Sequence, residues 1–145
     1  MDQIFKNYGW QILALGSAFF AALTAILGKI GVTGINANLA TLIRTAVIFL
    51  VISGIISLRN EWTGSEALTQ KSLLFLVLSG IATGLSWLCY YHALQIGPAS
   101  RVAPVDKLSV VFVMILATVF LGETFTWKLL LGGTLITAGA LVLAF

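Results

Sequence analysis

Two ionisable residues, Asp106 and Lys107, lie inside a stretch that is otherwise apolar enough to cross a bilayer. A charged side chain near the centre of a membrane costs about 2.5–3.5 kcal/mol, so such residues rarely face lipid and mark candidate functional sites. Adjacent positions on a helix point about 100° apart, so we expect each of the two side chains to find its partner elsewhere. Asp106 is the one acidic residue at this depth and the candidate proton carrier.

Lys29 and Arg44 belong to the same set of membrane-depth charges. Because successive spans alternate in direction, Lys29, Arg44, Asp106 and Lys107 all fall in one half of the membrane, and Arg44 is the natural partner for Asp106. One interpretation is a buried ion pair that fixes helix register, with the two lysines extending their amines to the interface. The other is a water-filled cavity whose surplus of cations attracts an anionic or zwitterionic ligand.

Three aromatic residues, Trp87, Tyr90 and Tyr91, follow one another on the third apolar run. Trp87 and Tyr91 are four residues apart and so share a helix face. Trp87 can offer a flat surface to the cavity. The two tyrosines lie nearer the end of the run, and we expect them to belong to an interfacial aromatic belt.

Enzymatic, metal and nucleic-acid chemistry find little support in the sequence. The chain has one histidine, His92, and one cysteine, Cys89, and no two carboxylates lie at a shared depth. These residues do not form a set suited to acid–base catalysis or metal binding. The net charge is +3, but the eight lysines and arginines are scattered around apolar runs and form no basic stripe. We expect no catalytic residue, metal, cofactor or nucleic-acid partner.

The elements that must position these residues are membrane-spanning helices. The 145 residues are 59% hydrophobic and 9% charged, and the mean hydropathy is +1.05, which indicates an integral membrane protein. The apolar runs are continuous, whereas membrane strands alternate, so an all-α, multi-pass fold is predicted. Residues 1–145 form one transmembrane domain of five spans, predicted at Trp10–Ile30, Asn38–Leu58, Ser72–Leu94, Val102–Leu121 and Trp127–Phe145.

Pro104 leaves two possibilities for the fourth span. If the helix starts near Val102, the proline falls in its first turn, where a missing amide donor is tolerated. If the helix starts earlier, Pro104 breaks it close to Asp106, and discontinuous helices are found at transporter binding sites. Before the fifth span, Thr124 or Thr126 is the expected helix cap.

Small residues indicate where helices meet closely. Gly80 and Gly84 form a GxxxG pattern on the third span, and Gly132 and Gly139 lie on one stripe of the fifth. These glycines are candidate packing or dimer positions, and their spacing does not say whether the partner helix belongs to the same chain.

The loop cations are nearly balanced between the two membrane faces. The membrane face that carries the N-terminus has four loop cations: Lys6, Arg59, Lys71 and Lys128. The opposite face has two, Lys29 and Arg101, and the deeper Arg44 and Lys107 on that side raise its count to four as well. The positive-inside rule therefore fixes the orientation weakly, as expected of a chain that inserts both ways.

The sequence resembles the drug/metabolite transporter superfamily, specifically a single EamA-type domain of the small five-span bacterial and archaeal branch. The resemblance covers essentially the whole chain and is strongest from Gly84 to Phe145. It rests on the tyrosine-rich end of the third span, Ala-Ser at 99–100, the Asp-Lys-Leu-Ser string at 106–109, Gly-Glu at 122–123 and the glycine-rich last span.

This resemblance implies a secondary transporter, or permease, for a small metabolite or drug-like solute in the inner (cytoplasmic) membrane. Most members carry two such domains as inverted repeats with the path between them, whereas this chain has one. The resemblance therefore implies pairing, most simply an antiparallel homodimer, and the stripe of Gly132 and Gly139 looks like the dimerising last helix of small multidrug resistance transporters. The alternative is a non-transporting membrane subunit that assembles with another protein or a lipid.

Overall fold

The computed structural model of the chain describes residues 2–62 and 68–145, with side chains from residue 8 onward. The described part consists of α-helices joined by short turns and contains no strand. The helices are α1 Asp2–Val32, α2 Ala37–Leu58, α3 Gln70–Ile96, α4 Ala99–Asp106, α5 Ser109–Leu121 and α6 Trp127–Ala144.

These helices provide five segments long and apolar enough to cross a membrane, which confirms the all-α, five-span prediction. The segments are Tyr8–Val32, Ala37–Leu58, Gln70–Ile96, Ala99–Leu121 and Trp127–Ala144. At most 11% of the most apolar stretch of any span is buried within the chain. A soluble protein does not expose apolar surface on this scale, so the surface must face lipid or another membrane protein.

The helix ends follow from local side-chain chemistry. The Asn36 side chain caps α2 by accepting hydrogen bonds from the amides of Asn38 at 2.8 Å and Leu39 at 3.4 Å. Thr126 caps α6 by accepting from the Leu129 amide at 3.3 Å, so Thr126 is the cap of the two candidates. Gly122 ends α5 in the left-handed conformation, with φ +68°, which glycine adopts without a Cβ clash.

The fourth span is a broken helix. Because α4 begins at Ala99, Pro104 lies inside it and deprives the Ser100 carbonyl of its usual amide donor. The chain then passes through a tight turn in which Leu108 N donates to Val105 O at 3.0 Å and α5 starts anew at Ser109. The structure thus matches the second of the two possibilities, an early start with a break next to Asp106.

The chain divides into two compact units, of which one comprises residues 31–96. Here α2 packs against α3. The Gln95 side-chain amide donates to the carbonyls of Val32 and Ile35, so it holds the turn that precedes α2. The buried residues of this unit lie where α2 begins and α3 ends: Val32, Ala37, Thr41, Tyr91 and Leu94.

The other unit comprises residues up to 30 together with 97–145. In this unit α6 packs against both α4 and α5. At Gly133 of α6, an added Cβ would lie 2.6 Å from the Met114 Cε of α5. Gly133 therefore makes room for the Met114 side chain between the two helices.

Candidate functional site

Arg44 is the centre of a polar cluster within the unit of residues 31–96. It is the eighth residue of α2, which at 1.5 Å per residue places it roughly 10 Å beyond the start of the helix. Its guanidinium carbon lies 4.2 Å from the centre of the Trp87 ring and 5.1 Å from the centre of the Tyr91 ring, both on α3. The electron-rich ring faces attract the cation, which partly offsets the cost of placing it at this depth.

The hydrogen-bonding capacity of Arg44 is only partly used. Its Nη1 atom is buried and has no hydrogen-bond partner among the described residues. A guanidinium has five N–H donors, and a buried donor left unsatisfied is costly. The cluster therefore presents a positive charge with an unused donor beside two aromatic rings.

The structure corrects the expectation for Tyr91. An interfacial belt residue would be exposed, but Tyr91 is only 3% exposed and faces Arg44. Tyr90 contacts it edge-on, with 6.0 Å between the ring centres. The four-residue spacing that puts Trp87 and Tyr91 on one helix face was the signal for this role.

Lys29 is bound to the backbone in the other unit. Its Nζ donates to the Gly97 carbonyl at 2.9 Å, and the side chain is half-buried. Gly97 follows the last residue of α3, where carbonyls lack intrahelical donors, and a cation is favourable there. This contact was not foreseen, since the sequence suggested either cavity lining or extension toward the interface.

Asp106 and Lys107 contact each other, against the expectation that neighbours could not. The Lys107 Nζ lies 3.4 Å from the Asp106 Oδ2. The prediction assumed an unbroken helix, but α4 ends at Asp106, and the long lysine side chain reaches back across the turn. The Asp106 side chain is 38% exposed and the Lys107 side chain 57% exposed within the chain, so neither is enclosed by its own unit.

The four predicted packing glycines are open within the described chain. A Cβ added at Gly80, Gly84, Gly132 or Gly139 would have no neighbouring atom within 4 Å. Within the described chain, the glycine that meets a neighbouring helix is Gly133, and packing of the four predicted glycines against a second chain stays a prediction. Gly133 adjoins Gly132 in the sequence, and only the position of Met114 distinguishes the two.

A cavity of about 370 Å³ between α5 and α6 is a weaker candidate. Its lining is apolar apart from two threonines, Thr134 and Thr137, whose hydroxyls donate to carbonyls of their own helix. No cluster of His, Cys, Asp or Glu suited to a metal ion occurs in the described part of the chain. Arg44, Trp87 and Tyr91 are therefore the best candidate site. Lys29, Asp106 and Lys107 belong to the other unit.

The helices and the candidate site define an α-helical, multi-pass membrane protein with a cationic, aromatic-lined polar site inside one of its units. Residues 9–145 match the EamA-like transporter family, and the chain belongs to that family. It is thus a membrane transporter, which confirms the resemblance found in the sequence.

One similar protein is from Sinorhizobium sp. and is named "Uncharacterized transporter in cobO 3'region". It is 52% identical over 138 residues, which cover 95% of this chain and 98% of the relative. The relative therefore has nearly the same length as this chain. No solved structure matches the chain.

Proposed function

We propose that the chain is a secondary transporter, a permease for a small metabolite or drug-like solute, which works as a dimer by alternating access in the inner membrane. The observation that carries this proposal is the Arg44 cluster. A guanidinium with an unused donor, roughly 10 Å inside an otherwise apolar helix, is costly unless a solute or water meets it there. A polar site at that depth is what a transporter needs and a purely structural span does not.

Three observations support the dimer. The similar transporter has nearly the same length as this chain, so it has room for a similar number of spans. Gly132 and Gly139 have no neighbour in the described chain, which leaves their stripe of α6 free for a second copy. The near-balance of loop cations fits insertion in both orientations, and two oppositely oriented copies would restore the inverted repeats that the family resemblance implies.

The break between α4 and α5 supports alternating access. The turn at residues 107–108 is held by short-range backbone bonds such as Leu108 N to Val105 O, and Pro104 leaves the Ser100 carbonyl without its usual donor, so the span can bend here more easily than a continuous helix. Asp106 lies at this break and would carry the coupled proton, with Lys107 as its counter-charge whenever it is ionised.

Reconstitution into liposomes that enclose a pH-sensitive dye tests this function. With a panel of amino acids, sugars, organic acids and organic cations outside, we expect at least one solute to cause saturable proton movement that empty liposomes lack. The Asp106→Asn variant should insert normally and lose this movement, because an amide cannot carry a proton. The Glu123→Gln variant, the same change on the loop after α5, should retain it.

Two outcomes would contradict the proposal. Unchanged proton movement in Asp106→Asn would remove that residue from the coupling role. If no solute moves and a second protein co-purifies in fixed proportion, the chain is instead a non-transporting subunit of a larger membrane assembly.

A further inference from the structure

We propose that the Arg44 cluster is an oxyanion site that binds the carboxylate of a small monoanionic solute. The inference rests on the proposed function only in taking that solute to be the transported one; the binding site itself is argued from the geometry.

The unpaired guanidinium selects the kind of group that can bind. Its carbon lies over the Trp87 and Tyr91 rings, 4.2 and 5.1 Å from the ring centres. The N–H groups lie along the edge of the guanidinium plane, and the Nη1 atom among them is buried and has no hydrogen-bond partner. A carboxylate is planar and accepts two parallel hydrogen bonds from such an edge, whereas a neutral hydroxyl or a cation gives no comparable pairing.

The charges of this unit select an anion of charge −1. In residues 31–96, Arg44 is the only charged residue within the membrane-depth part of α2 and α3. In the sequence, the unit's other charged residues all fall between Arg59 and Lys71, after the last residue of α2. Among the described residues of its own unit, Arg44 has no acidic partner, and its single charge neutralises one carboxylate but only half of a phosphate dianion.

The nearby polar groups bond to their own helix and leave the Arg44 donor without an acceptor. The Thr41 and Thr45 hydroxyls, one turn on either side of Arg44, donate to the carbonyls of Ala37 and Thr41 at 2.9 and 2.8 Å. They are thus committed as donors to their own helix. No side-chain carboxylate or amide oxygen of the described part of this unit is recorded as an acceptor for Arg44.

Protection of Arg44 from an arginine reagent tests the site in the unmodified protein. Full-length chain in lipid nanodiscs is treated with phenylglyoxal, and the rate of modification of each arginine is followed by peptide mass spectrometry. The chain has three arginines, so Arg59 and Arg101 serve as internal controls. The probes share one ring and differ in charge: benzoate, benzamide and phenyl phosphate.

We expect benzoate at ten times its dissociation constant to slow modification of Arg44 about tenfold, as the mass-action factor 1 + [L]/Kd requires. Benzamide should give no protection, phenyl phosphate less than benzoate, and Arg59 and Arg101 should react equally with every probe. Equal protection by benzoate and benzamide, or no protection by benzoate, would overturn the proposal. Greater protection by phenyl phosphate would overturn the choice of a carboxylate.

A comparison with the Asp106→Asn variant tests whether an acidic side chain of the protein already neutralises Arg44. If Arg44 is unreactive with or without benzoate and becomes reactive only in the Asp106→Asn variant, an acid of the protein already neutralises it and the proposal fails. If its reactivity is the same in both proteins, the anion comes from outside.

Calorimetric titration with benzoate extends the test to variants. Arg44→Lys keeps the charge but loses the planar pair of donors, so we expect binding at least tenfold weaker, and Arg44→Gln should abolish it. Lys71→Gln, which removes a cation from the far end of α3, should bind as the wild type does. Equal affinity in Arg44→Lys and wild type would contradict the geometric argument, and this arm remains valid if Arg44→Gln does not fold.

The outcomes separate this site from the proposed function. Benzoate protection of Arg44 without movement of any carboxylate in liposomes would retain the site and refute the transporter. If other solutes move and benzoate does not protect Arg44, the proposed transport function stands and the proposed carboxylate site is wrong.

Discussion

The contact between Arg44 and Trp87 should appear as a coupling free energy in a double-mutant cycle. The perturbations are Arg44→Leu, Trp87→Leu and the two together, in full-length protein. A cation over an aromatic face contributes about 0.5–1 kcal/mol when exposed and about 2 kcal/mol when desolvated. The Arg44 guanidinium is half-buried with one nitrogen fully buried, and the ring centre is 4.2 Å away, so we expect a coupling of about 1.5 kcal/mol.

The assay is unfolding by sodium dodecyl sulfate in mixed micelles, followed by circular dichroism. Trp87→Leu should cost about 1.5 kcal/mol more in the wild-type background than in the Arg44→Leu background. The absolute effect of Arg44→Leu is not informative, because removing a charge from the membrane is itself favourable. Only the difference between the two backgrounds measures the contact.

The matched control is the cycle of Arg59→Gln and Glu61→Gln. These side chains approach to 3.7 Å but are 70% and 54% exposed, so solvent screens them and we expect a coupling of only a few tenths of a kcal/mol. A coupling between Arg44 and Trp87 no larger than that of the control pair would refute the argument that the ring stabilises the buried cation.

Three further predictions concern the backbone and the packing of the helices. Gly122→Ala should destabilise the protein by about 1–2 kcal/mol, because φ +68° forces a Cβ toward the carbonyl. Thermal unfolding of this variant is compared with that of Gly16→Ala, a change at an open helical position. Equal melting temperatures of the two variants would contradict the prediction. Pro104→Ala should supply the missing amide to the Ser100 carbonyl, slow hydrogen exchange around the break and lower the transport rate; an unchanged rate would argue against bending there. Gly139→Leu should lower the fraction of dimer, measured by energy transfer between labelled copies, whereas Gly16→Leu should not. Equal dimer fractions in the two variants would place the interface elsewhere.

The five spans could be predicted from the sequence because length and apolar composition alone determine them. Their ends were accurate to within a few residues, and the largest shift was at the start of the fourth span, which begins at Ala99 where Val102 was predicted. That shift decided the role of Pro104, and it also made the contact between Asp106 and Lys107 possible. Both depend on where a helix starts, which an apolar stretch specifies poorly.

The site was predictable in its residues but not in its contacts. Helical spacing put Trp87 and Tyr91 on one face, yet only the packing of α2 on α3 shows that this face meets Arg44. Tyr91 was assigned to the interface from its position near a span end, although burial against Arg44 decides its environment. The choice between Gly132 and Gly133 depended in the same way on the Met114 side chain.

The measurement that bears most directly on an antiparallel homodimer is the orientation of the chain in the membrane. A reporter active only in the cytoplasm and another active only outside are each fused after Phe145. With five spans, the two ends of the chain lie on opposite faces, so insertion in both orientations should give comparable activity from both reporters. Activity from one reporter alone would fix a single orientation and exclude a symmetric antiparallel pair of this chain.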